Sequence, residues 1–355
     1  MRRLSGPSLP VLPAVITLLA ASAGMAVCVC MDVLAFQTQS PPFVAGTRTV
    51  AVFATVTNAQ GRLVPDLTKD DFSIDDNGKR QTLTLFSNDI QPITVIMLLD
   101  RSGSMKQNLE LEERGAEAFV RSLATEDKAR IGSFAKSIQI DPEDFTSDQD
   151  ALLKILRNDL QDEGPTPLWN AVDRAIDKLL LEQGRRVVLV FTDGVDEPMN
   201  FSNHNKSLKD VMKRAEEENI MVYAIGLAGD NGMPVMSGRA DPRGPGGMNP
   251  GPFGGPGGRG MGGYAGKQPS LEKPDEGLPK IAAATGGGYF ELSSPLNLAP
   301  TFARVANELH HQYALGFTPE KLDGKMHELT VHMSKPELSA RARKRYLASK
   351  IPGTP

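Results

Sequence analysis

The sequence predicts an α/β fold: a mostly parallel central sheet flanked by helices, with a small antiparallel β module formed by segments before and after it. Three observations predict this. From Ile93 onward, short apolar runs alternate with helix-period patterns, as parallel strands covered by helices on both faces do. Residues 46–87 and 313–348 instead alternate polar and apolar with period two. A hairpin signal, "DDNG" at Asp75–Gly78, joins two of those alternating runs.

The 355 residues allow two domains and a linker at about 100–200 residues per domain. Arg2 and Arg3 precede an apolar run from Leu9 to Val29, and Val33–Ala35 supplies the small residues of a cleavage site. Residues 1–35 therefore read as a secretory signal peptide, with an uncleaved membrane anchor as the competing reading. The expected location is secreted, periplasmic or cell-surface, and a membrane is involved only if this segment is retained. Cys28 and Cys30 both lie inside it, so a mature chain has neither a disulfide nor a thiolate metal site. Removing two arginines and Asp32 with the leader moves the net charge from -4 to -5. That acidity argues against a nucleic-acid partner, which wants a basic face. The basic run "RARKR", Arg341–Arg345, lies in an alternating segment and is expected to be the solvated edge of a strand.

The N-terminal β segment is expected over 44–92. The α/β unit, 93–312, reads in order as strand 93–99, helix 107–124, strand 130–140, helix 148–159, helix 168–182, strand 186–192, helix 205–219 and strand 220–228. A helix near 278–285, a last strand in "GGGYFELSS" and a helix over 298–311 complete it. The helix after Pro167 is the clearest: Leu168, Ala171, Val172, Ala175, Ile176, Leu179 and Leu180 make one continuous apolar stripe. Residues 229–277 hold 16 Gly and 8 Pro in 49 positions, a composition that cannot bury enough apolar surface to order itself, and are expected to be a disordered insertion. The C-terminal β segment, 313–348, is expected to pair with 44–92.

The stretch "TVIMLLDRSGSMK" carries the chemistry. A wholly apolar strand ends in Asp100, Ser102 and Ser104, three hard oxygen donors at alternate positions beyond its carboxyl end, where open parallel sheets bind ligands. Thr166 precedes the amphipathic helix, and "VVLVFTDGVDE" delivers Asp193 just past another strand. Hydroxyls and carboxylates suit Mg²⁺, Ca²⁺ or Mn²⁺, with no soft ligand to favour zinc or copper. Each residue alone is better explained as a helix cap, Thr166 before Pro167 above all. Their joint occurrence, each at a crevice position, favours a metal site.

In this ordered set, D-x-S-x-S, a loop Thr and a strand-end Asp, the sequence resembles the von Willebrand factor type A (VWFA) domain, a Rossmann-like fold with a metal-ion-dependent adhesion site. The resemblance implies that Ser102, Ser104 and Thr166 hold the ion through hydroxyls, while Asp100 and Asp193 act mostly through water or hydrogen bonds. It further implies that an acidic residue of a protein partner completes the coordination. The segments "VPDLTKDDFSIDDNGKRQTLTLF" and "YALGFTPEKLDGKMHELTVHMSKPELSARARKRYLA" extend the likeness to a VWFA-related family of exported acidobacterial proteins. Pro165 departs from that family, which more often has glycine before the threonine.

Catalytic motifs are few. "SFAK", Ser133–Lys136, matches the S-x-x-K of serine acyl-transferases but lies in a strand pattern, where that serine should open a helix. No G-x-S-x-G, H-E-x-x-H or P-loop occurs. His310 and His311 are expected at the surface or as helix-end caps, and Asp196 and Glu197 as solvated loop residues. The expected function is therefore exported, non-enzymatic and metal-dependent protein binding. The alternatives are a metal-assisted phosphoesterase using Asp100 and Asp193, or a scaffold with a purely structural ion.

Overall fold

The computed structural model describes residues 49–160, 164–197, 205–228 and 274–350. The expected leader, both cysteines and most of the Gly/Pro-rich insertion lie outside the described residues. The chain first builds β1 (Val50–Thr57), β2 (Phe72–Asp76), β3 (Lys79–Gln81) and β4 (Leu83–Ser87). As "DDNG" predicts, β2 and β3 are joined by a tight turn in which Asn77 and Gly78 take φ of 49° and 77°. Both central positions of such a hairpin turn need positive φ, which asparagine and glycine tolerate best.

The α/β unit follows with β5 (Ile93–Asp100), α1 (Leu109–Arg121), β6 (Lys128–Phe134), β7 (Ile138–Thr146), α2 (Gln149–Asn158), α3 (Leu168–Leu179) and β8 (Arg185–Thr192). It continues through α4 (Leu208–Glu217), β9 (Ile220–Leu227), α5 (Gly277–Thr285), β10 (Tyr289–Leu292) and α6 (Leu298–His310). The sheet order is β10-β9-β8-β5-β6-β7, parallel except for β7. The sequence predicts one strand over 130–140; the chain instead turns at Ala135–Ser137, and β7 returns antiparallel along the edge. An edge strand also tolerates Pro142, which has no N–H to give.

Every residue of β5 is buried because it is the central strand with both faces covered. Period two then divides its side chains: Val95, Met97 and Leu99 pack under α1, α2 and α6 with Phe119, Leu152 and Phe302. Ile96 and Leu98 face Leu168, Val172 and Ile176 of α3 on the other side. Burying each such aliphatic side chain is worth about 1.5–3 kcal/mol. The stripe of α3 is core, as its spacing predicts, but the helix stops at Leu179; Leu181 beyond it is 85% exposed, and Gly184 (φ 84°) turns the chain into β8.

The chain ends with β11 (Tyr313–Phe317), β12 (Met326–Met333), β13 (Ser339–Arg341) and β14 (Arg345–Leu347). These interleave with the N-terminal strands in two four-stranded sheets, β13-β1-β11-β4 and β14-β12-β2-β3. All their pairings are antiparallel. Val52, Ile74, Leu315, Phe317, Leu329 and Tyr346 fill the core between them. Among the described residues no helix is long and apolar enough to cross a membrane.

Two expectations fail, the first in part, at the seam between these sheets and the α/β unit. The run "RARKR" is a solvated edge only in part: Lys344 and Arg345 are exposed on the edge, whereas Arg341 pairs with buried Glu308 at 2.5 Å and donates to Tyr223 Oη at 3.2 Å, and Arg343 donates to the Ala51 carbonyl at 2.6 Å. His310 is no surface residue either; its Nε2 lies 2.7 Å from Asp127 Oδ2. Alternation places Arg341 and Arg343 on one face, but only the second β segment folding back decides what that face meets.

Candidate functional site

Asp100 closes β5 with its side chain wholly buried. Its Oδ1 accepts the Ser102 N–H at 2.9 Å, and its Oδ2 accepts the hydroxyl of Thr192 at the end of the adjacent β8. A single short turn, Gly103–Gln107, then curls the backbone so that Ser102 Oγ and Ser104 Oγ lie 3.1 Å apart. Ser104 Oγ donates in turn to Asp193 Oδ1 at 2.7 Å. Neighbouring parallel strands ending at one level, β5 at Asp100 and β8 at Thr192, thus bring residues 89 positions apart into direct contact.

The third loop brings Thr166. Its carbonyl accepts the Glu197 N–H at 2.8 Å, and the Gly164 carbonyl accepts the Gly103 N–H at 3.4 Å, tying this loop to both others. The Thr166 hydroxyl lies beside Gly194: a Cβ placed there would be 3.4 Å from Thr166 Oγ1 and 3.9 Å from Asp100 Oδ2. Gly164 itself must be glycine, because a Cβ would fall 2.2 Å from the Lys136 nitrogen. All five residues singled out in the sequence, Asp100, Ser102, Ser104, Thr166 and Asp193, therefore meet at the carboxyl end of the sheet.

Thr166 is not the cap of α3 that its position before Pro167 suggests. Pro167 occupies the capping position and the Trp169 N–H goes to Asp196 Oδ1 at 3.2 Å. Asp196 is thus no solvated loop residue; burial pushes its carboxyl up, with Asp275 adding to the rise. Asp275 holds the same loop from outside, accepting the Asp196 N–H at 3.1 Å while its own N–H donates to the Gly194 carbonyl at 3.2 Å. It lies within the span expected to be a disordered insertion, whose residues 274–277 are placed against the site.

The electrostatics suit a cation. Burial, with nearby Asp193 adding to it, pushes the Asp100 carboxyl up to about 6 despite the hydrogen bonds from Ser102 and Thr192. Behind the site Glu112 of α1, entirely buried, pairs with Arg101 at 3.5 Å; burial raises its carboxyl well above the ordinary range, and Asp100 and Asp193 push the same way. Too many acids face one another here for water-poor surroundings unless positive charge is shared among them.

Thr192, Glu112 and Asp275 were not legible as site residues. Thr192 had a signal, a hydroxyl ending the strand just before Asp193, and so had Glu112, an acid three positions after Leu109 on the buried stripe of α1. Asp275 had none, since its segment reads as uniformly low in complexity.

The family model of the von Willebrand factor type A domain matches residues 94–241. The chain carries a von Willebrand factor type A domain. Among curated proteins no relative matches. Solved structures to which the chain is similar include the conserved hypothetical protein BatB from Bacteroides thetaiotaomicron, at 21% identity and TM-score 0.40, covering 61% of this chain and 98% of that one. An aerotolerance-related membrane protein from Bacteroides fragilis is similar at 19% identity and TM-score 0.41, covering 61% and 99%. A von Willebrand factor type A protein from Catenulispora acidiphila is similar at 10% identity and TM-score 0.45, covering 80% and 76%. VWA domains typically mediate protein interactions and are generally not enzymes.

Proposed function

We propose that this protein is an exported, metal-ion-dependent binding module whose VWA domain captures an acidic side chain of a protein partner. On this reading residues 1–35 are the export leader, 93–312 the VWA domain and 44–92 with 313–348 its β companion. The observation that carries the reading is the meeting of three loops at one oxygen cluster, with Ser102, Ser104 and Asp193 linked at 3.1 and 2.7 Å.

The donor set fits a hard divalent cation, Mg²⁺ or else Ca²⁺ or Mn²⁺, because it offers only hydroxyls and carboxylates. Ser102, Ser104 and Thr166 would hold the ion, with Asp100 and Asp193 completing its surroundings. When bound, the ion supplies a Lewis-acidic position for a partner's carboxylate. The protein's own part is to orient these groups: Thr192 and the Ser102 amide fix Asp100, and Asp196 with Asp275 fixes the loop carrying Asp193. Thr166, not engaged in capping α3, is available to the ion.

The test is capture of partners from envelope extract by the purified protein, with and without chelator, beside Asp100→Ala and Ser102→Ala. Capture is expected to require the divalent ion and to vanish in both variants while circular dichroism shows the fold retained. Capture that persists under chelation removes the proposal. Phosphoesterase turnover lost in Asp100→Asn would favour metal-assisted hydrolysis instead.

A further inference from the structure

Residues 274–277 close the Gly/Pro-rich span and lead into α5, and they meet the rest of the protein at three places. Pro274 packs on Gly226 of β9, where a Cβ would stand 2.8 Å from the proline Cβ. Gly277 lies against the ring of Trp169 in α3: a Cβ there would fall 2.5 Å from Trp169 Cζ2 and 2.9 Å from Asp275 Oδ1. Between these two anchors Asp275 reaches the loop after β8. Its N–H donates to the Gly194 carbonyl at 3.2 Å, and its Oδ2 accepts the Asp196 N–H at 3.1 Å.

An aspartate just before a helix is ordinarily a cap, and part of Asp275 serves that end. Its Oδ1 accepts the Gly277 N–H at 2.7 Å, and its carbonyl accepts the Leu278 N–H at 3.0 Å. The bonds to Gly194 and Asp196 have no such use, because both partners lie outside α5, on the loop that carries Asp193. The Thr166 segment holds that loop from the other side: Asp196 Oδ1 accepts the Trp169 N–H at 3.2 Å, and the Glu197 N–H donates to the Thr166 carbonyl at 2.8 Å. Asp275, Asp196 and Trp169 thus form a chain of hydrogen bonds across both loops. Trp169 closes it into a ring, since its amide ends the chain and its side chain bears on Gly277, two residues from Asp275.

We propose that Asp275 is a positioning residue of the metal site: through Asp196 and Trp169 it fixes Asp193 relative to Thr166, so that a segment outside the D-x-S-x-S, Thr and Asp set governs ion affinity. The inference deepens the metal-dependent reading above and rests on it. Groups that orient metal ligands without touching the ion are worth about 10–100-fold in affinity. Mg²⁺ demands near-ideal octahedral geometry, whereas Ca²⁺ accepts a flexible one, so a displaced ligand costs magnesium more than calcium.

Calorimetric titration of the full chain with magnesium chloride and with calcium chloride tests this, in the wild type, Asp275→Ala and Ser207→Ala. The last removes the cap of α4 and touches neither loop, so it registers a purely structural loss. Asp275→Ala is expected to bind magnesium about tenfold more weakly or worse, with a smaller loss for calcium, while Ser207→Ala binds both ions as the wild type does. Unchanged magnesium affinity in Asp275→Ala, or an equal loss of both ions, overturns the role of Asp275 and leaves the metal site standing. A wild type that binds neither ion removes the site itself, and this inference with it. If Asp275→Ala does not fold, Gly277→Ala decides, because its Cβ would press on Trp169 and on the Asp275 carboxyl; weakened magnesium binding there supports the clamp, and wild-type affinity overturns it.

Discussion

Ser104 Oγ donates to Asp193 Oδ1 at 2.7 Å, joining the loop after β5 to the loop after β8. That bond is a local tie between the two loops of the oxygen cluster. It also makes the two residues separable by experiment from the rest of the fold, because both lie beyond the strand ends.

Ser104→Ala and Asp193→Ala are therefore expected to stay folded and to lose their response to magnesium. The wild type should melt higher in magnesium than in chelator, by RT ln(1 + [L]/Kd), about 2.7 kcal/mol at a hundredfold excess over Kd. Differential scanning fluorimetry with and without magnesium checks this; an undiminished shift in both variants would remove these residues from the site.

Gly164→Ala should damage the site from a distance. Its Cβ would meet the Lys136 nitrogen at 2.2 Å, so the loop must move, and Thr166 follows two residues later. The expected outcome is a loss of about 1–3 kcal/mol in denaturant unfolding, the usual cost of overpacking, together with a weakened magnesium shift. Pro165→Gly, which only relaxes the same loop, should leave the fold intact and alter magnesium affinity measured by calorimetry.

Asp127 ties three elements together: its carboxylate accepts the N–H of Ile93 at 2.9 Å and of Ala124 at 2.7 Å, and faces His310 Nε2 at 2.7 Å. Burial alone would raise its pKa, but the His310 and backbone hydrogen bonds outweigh burial and hold it below the ordinary value. A carboxylate whose folded pKa is depressed stabilises the fold above its unfolded pKa of about 3.9, and that stability is lost as pH falls through the folded value. Asp127→Asn should then cost about 1–3 kcal/mol at pH 7 and progressively less below pH 4. Urea denaturation at the two pH values checks the sign; a cost that grows on acidification would contradict it.

Arg341→Met should loosen the seam. It leaves Glu308, only 1% exposed, with the longer 3.4 Å pairing to Arg304. Breaking a buried pair costs about 3–5 kcal/mol, and the lower end is expected because Arg304 keeps part of the compensation. Thermal melting reads the loss, and restoring charge balance with Arg341→Met/Glu308→Gln should recover part of it.

The α/β class and its layers were legible in the sequence because period carries burial. An apolar run such as Val95–Leu99 has no solvent face to offer, and the stripe from Leu168 to Leu179 has only one face to bury. The split of 130–140 into two strands was not legible, because Ala135–Ser137 lacks the Gly or Asn that usually marks a hairpin turn.

The sequence by itself determined which residues end strands with oxygen, Asp100, Ser102, Ser104 and Asp193, since each follows an apolar run that must stop at the edge of the sheet. Only the tertiary structure decided that the side chain of Asp196 rather than that of Thr166 takes the Trp169 amide of α3, and that Glu112 and Asp275 stand beside the site. It likewise decided that Arg341 and Arg343 are half-buried, with their guanidinium groups bonded to Glu308 and to the Ala51 carbonyl. The reason is the range of the forces involved: periodicity records what a residue's own element needs, whereas hydrogen bonds and ion pairs across hundreds of positions depend on which elements the chain finally lays side by side.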